Sequence, residues 1–117
     1  MIRLVQSYGR YLGRSSGRDR WDWEVRLVSD TNPLELELVE KVIYTLHPSY
    51  ERPTRVKTDI ESGFALSEKS TGVFEIKATA IMRAGAPVRY THRLELFFPM
   101  HLETVVYDDE HDLLPVS

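Results

Sequence analysis

The sequence contains no cysteine, so disulfide bonds and thiolate metal sites are excluded. It also has no long apolar run. The longest candidate, residues 94–100, is interrupted by Glu95 and Pro99, whereas a membrane span needs about 18 apolar residues. The first residues lack the apolar core of a signal peptide. Because an absence of cysteine fits a reducing compartment, we expect a cytoplasmic protein with no membrane insertion by this chain.

The chain also lacks an excess of basic residues, and its formal net charge is −3 at pH 7. Nucleic acid and acidic lipid are bound mainly by basic surfaces, so neither is an expected partner. With 117 residues the chain has the size of one domain. We predict a single domain over residues 1–117, in which residues 108–117 form a polar tail prone to fraying.

The dominant hydrophobic period along the chain is two, which is typical of strands with one buried face. The pattern recurs in residues 21–27, 42–46, 55–60, 74–82 and 88–96, with a weaker candidate at 2–12. Turn signals separate these runs, and the short loop 84–87 predicts an antiparallel hairpin between the last two. Residues 34–40 fit either one helical turn or a strand edge. We therefore predict an all-β fold, an antiparallel sandwich or barrel.

The inward positions of these strands define the expected core. We predict burial of Trp23, Val25, Leu27, Val42, Tyr44, Leu46, Phe74, Ile76, Leu94 and Leu96. In residues 55–60 the alternation puts Val56, Thr58 and Ile60 on one face. Trp21 shares the phase of Trp23 but lies at the start of its strand, so it is a candidate either for the core or for a site at the loop end.

The most unusual segment joins a buried strand to a loop that contains His47, Ser49 and Tyr50 between Pro48 and Pro53. Proline fixes φ and prevents further sheet pairing, so this loop is stiff. A stiff loop holds an aromatic ring and a hydroxyl in place with little entropy lost on binding. The structural alternative is a rigid turn in which His47 bonds to the backbone and Tyr50 caps the core.

Other candidate sites are weaker. The four histidines have no ligand spacing, so we expect no metal site and no cofactor. His47 and Ser49 resemble a nucleophile and its base, but no acidic partner is placed by the sequence, and we expect no catalytic residues. Four arginines surround a Gly/Ser loop, forming either a solubilising surface or a docking patch for an acidic partner: Arg10, Arg14, Arg18 and Arg20.

Two runs of residues resemble a known family. Residues 23–27 and 39–53, the latter reading V-E-K-V-I-Y-T-L-H-P-S-Y-E-R-P, are similar to the YEATS domain and in particular to its prokaryotic branch, pYEATS. That branch has the pattern V-x-x-V-x-(aromatic)-x-L-H-x-(S/T)-(aromatic)-x-x-P. Residues 64–67 and 72–76 resemble the segment that follows. The resemblance extends from Ile2 to about Phe98.

The resemblance implies an immunoglobulin-like antiparallel β-sandwich whose ligand site lies among the loops at one end. Eukaryotic members bind acylated lysine on histone tails. By the same resemblance the loop supplies a histidine, a hydroxyl and a stacking aromatic, and a second wall faces it. The implied ligand-binding residues are His47, Ser49, Tyr50, Thr71, Gly72, Phe74 and Trp21. Thr71 stands where the family places the opposing aromatic, so we expect acetyl-lysine to bind weakly or not at all.

We therefore expect a non-enzymatic recognition module. The resemblance implies a sensor or signalling role in bacterial immunity or conflict systems, with a modified peptide, a protein or a small-molecule signal as ligand. The main alternative is a protein–protein interaction scaffold whose loop pocket is vestigial. A hydrolase that uses His47 and Ser49 is the third interpretation.

Overall fold

Alternating apolar residues form nine strands in the computed structural model, which describes residues 1–98 and 103–104. The long strands are β1 (Ile2–Ser15), β2 (Arg18–Ser29), β3 (Val39–Thr45), β4 (Thr54–Lys57), β5 (Leu66–Ser70), β6 (Glu75–Met82) and β7 (Val88–Arg93). A short pair follows, β8 (Phe97–Phe98) and β9 (Glu103–Thr104). Two 3-10 helices, Pro33–Leu38 and Ile60–Ser62, complete the elements.

The strands form two main antiparallel sheets. One has the order β1-β2-β5 and the other the order β4-β3-β6-β7, while β8 pairs with β9. The hairpin between β6 and β7 has the predicted antiparallel register. These findings confirm the all-β, immunoglobulin-like antiparallel β-sandwich. In the part of the chain described, no helix has the length and apolar character that crossing a membrane requires.

The core lies between the two sheets and agrees with the period-two prediction, because all ten residues predicted to be buried are buried. The structure adds seven more apolar residues to this core: Trp21, Val39, Phe64, Leu66, Val73, Ala78 and Ala80. The inner face is therefore continuous from the N-terminal half of β2 to the segment after β7.

In residues 55–60 the predicted alternation is wrong at Val56, whereas Ile60 of the same predicted face packs against the core. The strand β4 ends at Lys57, and Val56 is 53% exposed. The register pairs Arg55 with the buried Tyr44, so Arg55 takes the inward position, where its Nη1 lies 2.8 Å from the Glu68 carboxylate of β5. This ion pair joins the edge strands of the two sheets, which is why a charged residue occupies an inward position.

Two other sequence predictions are resolved or extended. Residues 33–38 form a 3-10 helix, because Pro33 begins it and the Asn32 side chain accepts from the Leu34 backbone N–H at 3.0 Å. The N-terminal strand runs to Ser15, beyond the predicted limit of residue 12. The expected tail, residues 108–117, lies outside the described residues, and the single-domain assignment stays a prediction.

The Gln6 side chain closes the other lateral edge of the sandwich. Its amide donates to the Glu95 carbonyl at 2.8 Å and accepts from the Glu95 N–H at 2.9 Å, and its oxygen lies 2.8 Å from His92 Nε2. Gly9 allows this approach, because a Cβ there would collide with the Glu95 carbonyl. Burial lowers the pKa of His92, so the neutral imidazole is favoured at this edge.

Replacing Trp23 with alanine tests the core. Trp23 has no exposed surface, so Trp23→Ala should lower the free energy of unfolding by ~3–5 kcal/mol. The measurement is urea unfolding followed by circular dichroism, with Leu12→Ala as the exposed control, expected to cost less than about 0.5 kcal/mol. Equal losses from the two substitutions would contradict the assignment of Trp23 to the core.

The His92 contact predicts a pH dependence of stability. A histidine whose folded pKa is depressed contributes stability above its ordinary pKa and loses it as the pH falls. Between about pH 7.5 and pH 5.5, the unfolding midpoint of the native protein should fall more than that of His92→Gln. Parallel declines in the two proteins would show that His92 does not carry this dependence.

Candidate functional site

The loop between β3 and β4 is closed by its own backbone. The Leu46 N–H donates to the Pro53 carbonyl at 2.7 Å, and the Tyr50 N–H donates to the His47 carbonyl at 3.1 Å. Pro48 and Pro53 restrict φ inside this closed loop. The side chains of residues 47–50 are therefore presented from a backbone with little freedom.

His47 and Ser49 form a local pair within this loop. His47 Nδ1 accepts from the Ser49 backbone N–H at 3.1 Å and lies 2.8 Å from the Ser49 Oγ. A backbone N–H can only donate, so Nδ1 carries no proton and the proton of a neutral imidazole resides on Nε2. Nδ1 of His47 thus contacts both the backbone N–H and the hydroxyl of Ser49, so both contacts lie within the turn itself. The hydrogen bond between His47 and the backbone that a rigid turn predicts is therefore present.

Tyr50 connects the loop to the opposite sheet. Its hydroxyl donates to the Lys69 carbonyl of β5 at 2.6 Å, and the Arg55 guanidinium lies 6.0 Å from its ring centroid. The ring is half-buried. This bond brings residues 46–53 to the end of β5, two residues before Thr71.

Phe74 lies beneath the loop and touches both of its rings. Its centroid is 6.0 Å from that of His47 and 5.6 Å from that of Tyr50, with interplanar angles of 62° and 59°. On its other side it packs edge-on against Trp23 at 5.9 Å. These tilted geometries are the ones that aromatic quadrupoles favour. Phe74 therefore forms the base of the candidate site and connects it to the core.

The second wall is formed by Thr71 and Gly72. Thr71 is half-buried and its Oγ1 accepts from Arg18 Nη1 at 3.3 Å. Gly72 is buried, and its carbonyl accepts from the Ser70 hydroxyl at 2.9 Å. This wall offers a hydroxyl and a guanidinium where the resemblance implied an aromatic ring.

Trp21 lies apart from this group. It has no exposed surface, and its indole N–H donates to the Phe97 carbonyl at 2.9 Å. Its ring packs against those of Tyr11 and Phe98, with centroids 5.4 Å and 5.3 Å away. A side chain enclosed in this way presents no face to a ligand. Trp21 is therefore a core residue here, and we leave it out of the proposed site.

Phe64 is also enclosed in the core and does not serve as a second aromatic face. It is 1% exposed, and its carbonyl accepts from the Tyr44 hydroxyl at 2.7 Å. Burial raises the pKa of Tyr44, so that hydroxyl remains a donor. The aromatic character of the candidate site thus comes from Tyr50, Phe74 and His47.

The structure brings the rings of His47 and Tyr50 together on Phe74 and joins their loop to the strand end that precedes Thr71 and Gly72, and the role of these residues and of Ser49 in binding stays a prediction. The contact of Arg18 with Thr71 was not predicted from the sequence. Arg18 was recognised only as one member of a basic loop. The signal that brings it to Thr71 is the register of β2 with β5, which pairs Trp21 with Ser70. Sheet order between distant strands is a tertiary property that local periodicity does not encode.

Among the residues described, no group of three or more His, Asp and Glu side chains is placed to hold an ion. His101 and His111 lie outside the described residues.

Comparison with known families identifies this arrangement. The family model for the prokaryotic YEATS domain matches residues 21–95, which include the loop, the second wall and the core of both sheets. This match confirms the resemblance. No curated protein gives a significant match.

Solved structures give the same fold. A YEATS domain of yeast Yaf9 bound to H3K27ac is 22% identical, with a TM-score of 0.60 over 92% of this chain and 80% of that one. The Yaf9 YEATS domain recognising an H3K122suc peptide is also 22% identical, with a TM-score of 0.58 over 82% and 74% of the respective chains. At this identity the likeness establishes the fold alone.

The bonds at His47 predict its tautomer. Because Nδ1 accepts from Ser49, the neutral imidazole should carry its proton on Nε2, and long-range ¹⁵N–¹H spectra near pH 8 should show Nδ1 as unprotonated. Ser49→Ala removes the hydroxyl but keeps the backbone donor, so it should preserve this tautomer. A protonated Nδ1 in the neutral ring would contradict the described geometry.

Proposed function

The chain belongs to the prokaryotic YEATS domain family, and we propose that it binds an acylated lysine side chain of a peptide between Tyr50 and Thr71. Members of this family are binding modules rather than enzymes, so the hydrolase interpretation of His47 and Ser49 is dropped. A modified peptide is the partner class that we propose, ahead of a small-molecule signal.

The observation that carries this proposal is the convergence of Tyr50 and His47 on Phe74. An acylated lysine has lost its charge and presents a flat amide. An aromatic face such as Tyr50 stacks on that amide, while a hydroxyl such as that of Ser49 and neighbouring backbone N–H groups satisfy its polar atoms. Two of the related Yaf9 structures are described with acylated histone H3 peptides, which supports the same class of ligand.

Thr71 determines how tightly a simple acyl group binds. A stacked aromatic pair contributes ~0.5–1.5 kcal/mol beyond area burial. Loss of one of two faces therefore weakens binding by up to about tenfold. Since Thr71 supplies no ring, we propose that acetyl-lysine peptides bind weakly, and that the acyl group is held mainly from the Tyr50 side.

An interaction scaffold is the second candidate function. The 3-10 helix at residues 33–38 exposes two leucines, Leu34 at 63% and Leu38 at 57%, at the end of the sandwich away from the candidate site. Exposed apolar side chains of this kind are used in protein contacts when they are contiguous. A scaffold would keep its partner after substitution of Tyr50 and lose it after substitution of these leucines.

We also propose, as a finer role, that the module acts in the cytoplasm as a sensor in a bacterial immunity or conflict system. This expectation follows from the family resemblance noted in the sequence. The domains encoded beside and in frame with this one would test it. Effector domains in those positions would support the role, and housekeeping enzymes would contradict it.

Substitution of Tyr50 tests the binding function. Calorimetric titration with acetyl-, butyryl- and unmodified lysine peptides should show binding of the acylated peptides only. Tyr50→Ala should abolish it, because the stacking face is lost, whereas Tyr50→Phe should retain most of it, because the ring remains. Tyr90→Ala is the matched control, since Tyr90 is a half-buried tyrosine of β7 packed on the same core.

Two results of the same titrations would contradict acyl-lysine recognition at Tyr50. Equal affinity for modified and unmodified peptides would overturn acyl recognition. Loss of binding in Tyr90→Ala as large as in Tyr50→Ala would show that folding, and not a ligand face at Tyr50, is being measured. Circular dichroism of each variant separates these effects.

A further inference from the structure

The guanidinium of Arg18 contacts Thr71, which by resemblance stands where the family places an aromatic ring. We infer that Arg18 makes this site select acyl-lysines whose acyl chain ends in a carboxylate over neutral acyl-lysines of equal length. The inference rests on the proposed acyl-lysine function and specifies the class of ligand. It begins from one contact, Arg18 Nη1 to Thr71 Oγ1 at 3.3 Å.

Arg18 has N–H donors that are available to a ligand. A guanidinium carries five N–H donors in a planar fork, and the Thr71 hydroxyl takes one of them. Among the residues described, Arg18 has no carboxylate within ion-pair distance. A carboxylate ligand is able to accept two parallel N–H bonds from such a fork. The Thr71 contact therefore orients the guanidinium without neutralising it.

Two neighbouring arginines of the same hairpin, Arg10 and Arg14, differ from Arg18 in this respect. Arg10 pairs with Asp22 at 2.7 Å, and Arg14 Nη1 lies 3.8 Å from the Asp19 carboxylate. Asp19 also accepts from the Tyr11 hydroxyl at 2.7 Å. The two carboxylates nearest in sequence to Arg18 on β2 are thus engaged by other side chains. Arg18 is left as a cation directed to the second wall.

Charge on the loop side is largely balanced within the protein. Glu68, the carboxylate on the inner face of β5, is paired with Arg55 at 2.8 Å. The exposed charged residues closest in sequence to the loop and the second wall are two cations, Arg52 and Lys69, and two anions, Glu51 and Glu75. A carboxylate brought between Tyr50 and Thr71 therefore meets Arg18 without a buried unpaired anion to oppose it.

A neutral acyl chain gains nothing from this arrangement, because it has no group that matches the guanidinium. Selectivity hence depends on the terminal carboxylate alone. Butyryl-lysine and succinyl-lysine have acyl chains of four carbons each and differ in that terminal group, so they form the matched pair of ligands.

The experiment measures the ratio of affinities for one peptide carrying succinyl-lysine or butyryl-lysine. The native protein should favour the succinyl peptide by about fivefold, as expected for an ion pair that is partly exposed. Arg18→Gln should bring the ratio to about one by lowering the affinity for the succinyl peptide more than the affinity for the butyryl peptide. Arg20→Gln removes the same charge from an exposed position on the same strand and should leave the ratio as it is.

Two substitutions of Thr71 test the anchoring contact. Thr71→Val removes the hydroxyl that orients Arg18 and should lower the succinyl preference. Thr71→Trp restores a second stacking face, so butyryl affinity should rise by up to about tenfold while the preference falls. No gain from Thr71→Trp would show that this position does not face the ligand and would overturn the role of this wall.

The remaining outcomes distinguish the role of Arg18 from acyl-lysine binding itself. Equal affinity of the native protein for the two acyl peptides, or the same loss in Arg20→Gln as in Arg18→Gln, would overturn the role of Arg18 and leave acyl-lysine binding standing. Failure of both acyl peptides to bind the folded native protein would overturn the proposed function itself.

Discussion

The Phe74 ring is the contact on which both the core and the candidate site depend. It packs edge-on against the fully buried Trp23 on one side and contacts the His47 and Tyr50 rings on the other. Phe74 thereby connects the two aromatic rings of the loop to the core. A change that shifts Trp23 will also shift the base of the site, so stability and binding are coupled at this position.

Polar contacts at the two lateral edges explain why the site lies at an end of the sandwich. Arg55 and Glu68 join the edge strands β4 and β5, while the Gln6 amide joins β1 to the backbone that follows β7. Both contacts fix the spacing of the sheets without filling it with apolar atoms. With these edges closed, the loops at the ends remain as the surfaces on which variable side chains are presented.

Much of the fold was predictable because burial follows the period of the strands. Trp23, Tyr44 and Ile76 were placed in the core by alternation alone, and the loop at residues 46–53 was recognised from its two prolines and its family pattern. Val56 was misplaced, because an edge ion pair reverses the phase that apolar alternation suggests. The contact of Arg18 with Thr71 was not predicted, since it depends on which strands become neighbours. Local pattern encodes which face of a strand is buried, whereas these two features depend on sheet order.

The most direct test of the binding site is backbone amide NMR of the labelled domain during titration with an acylated lysine peptide. Binding between the loop and the second wall predicts shift changes confined to residues 47–50 and 69–74, and at the Arg18 side chain when the acyl group carries a carboxylate. Shift changes concentrated instead at residues 33–38 and 82–88, at the opposite end of the sandwich, would contradict the assignment of the site.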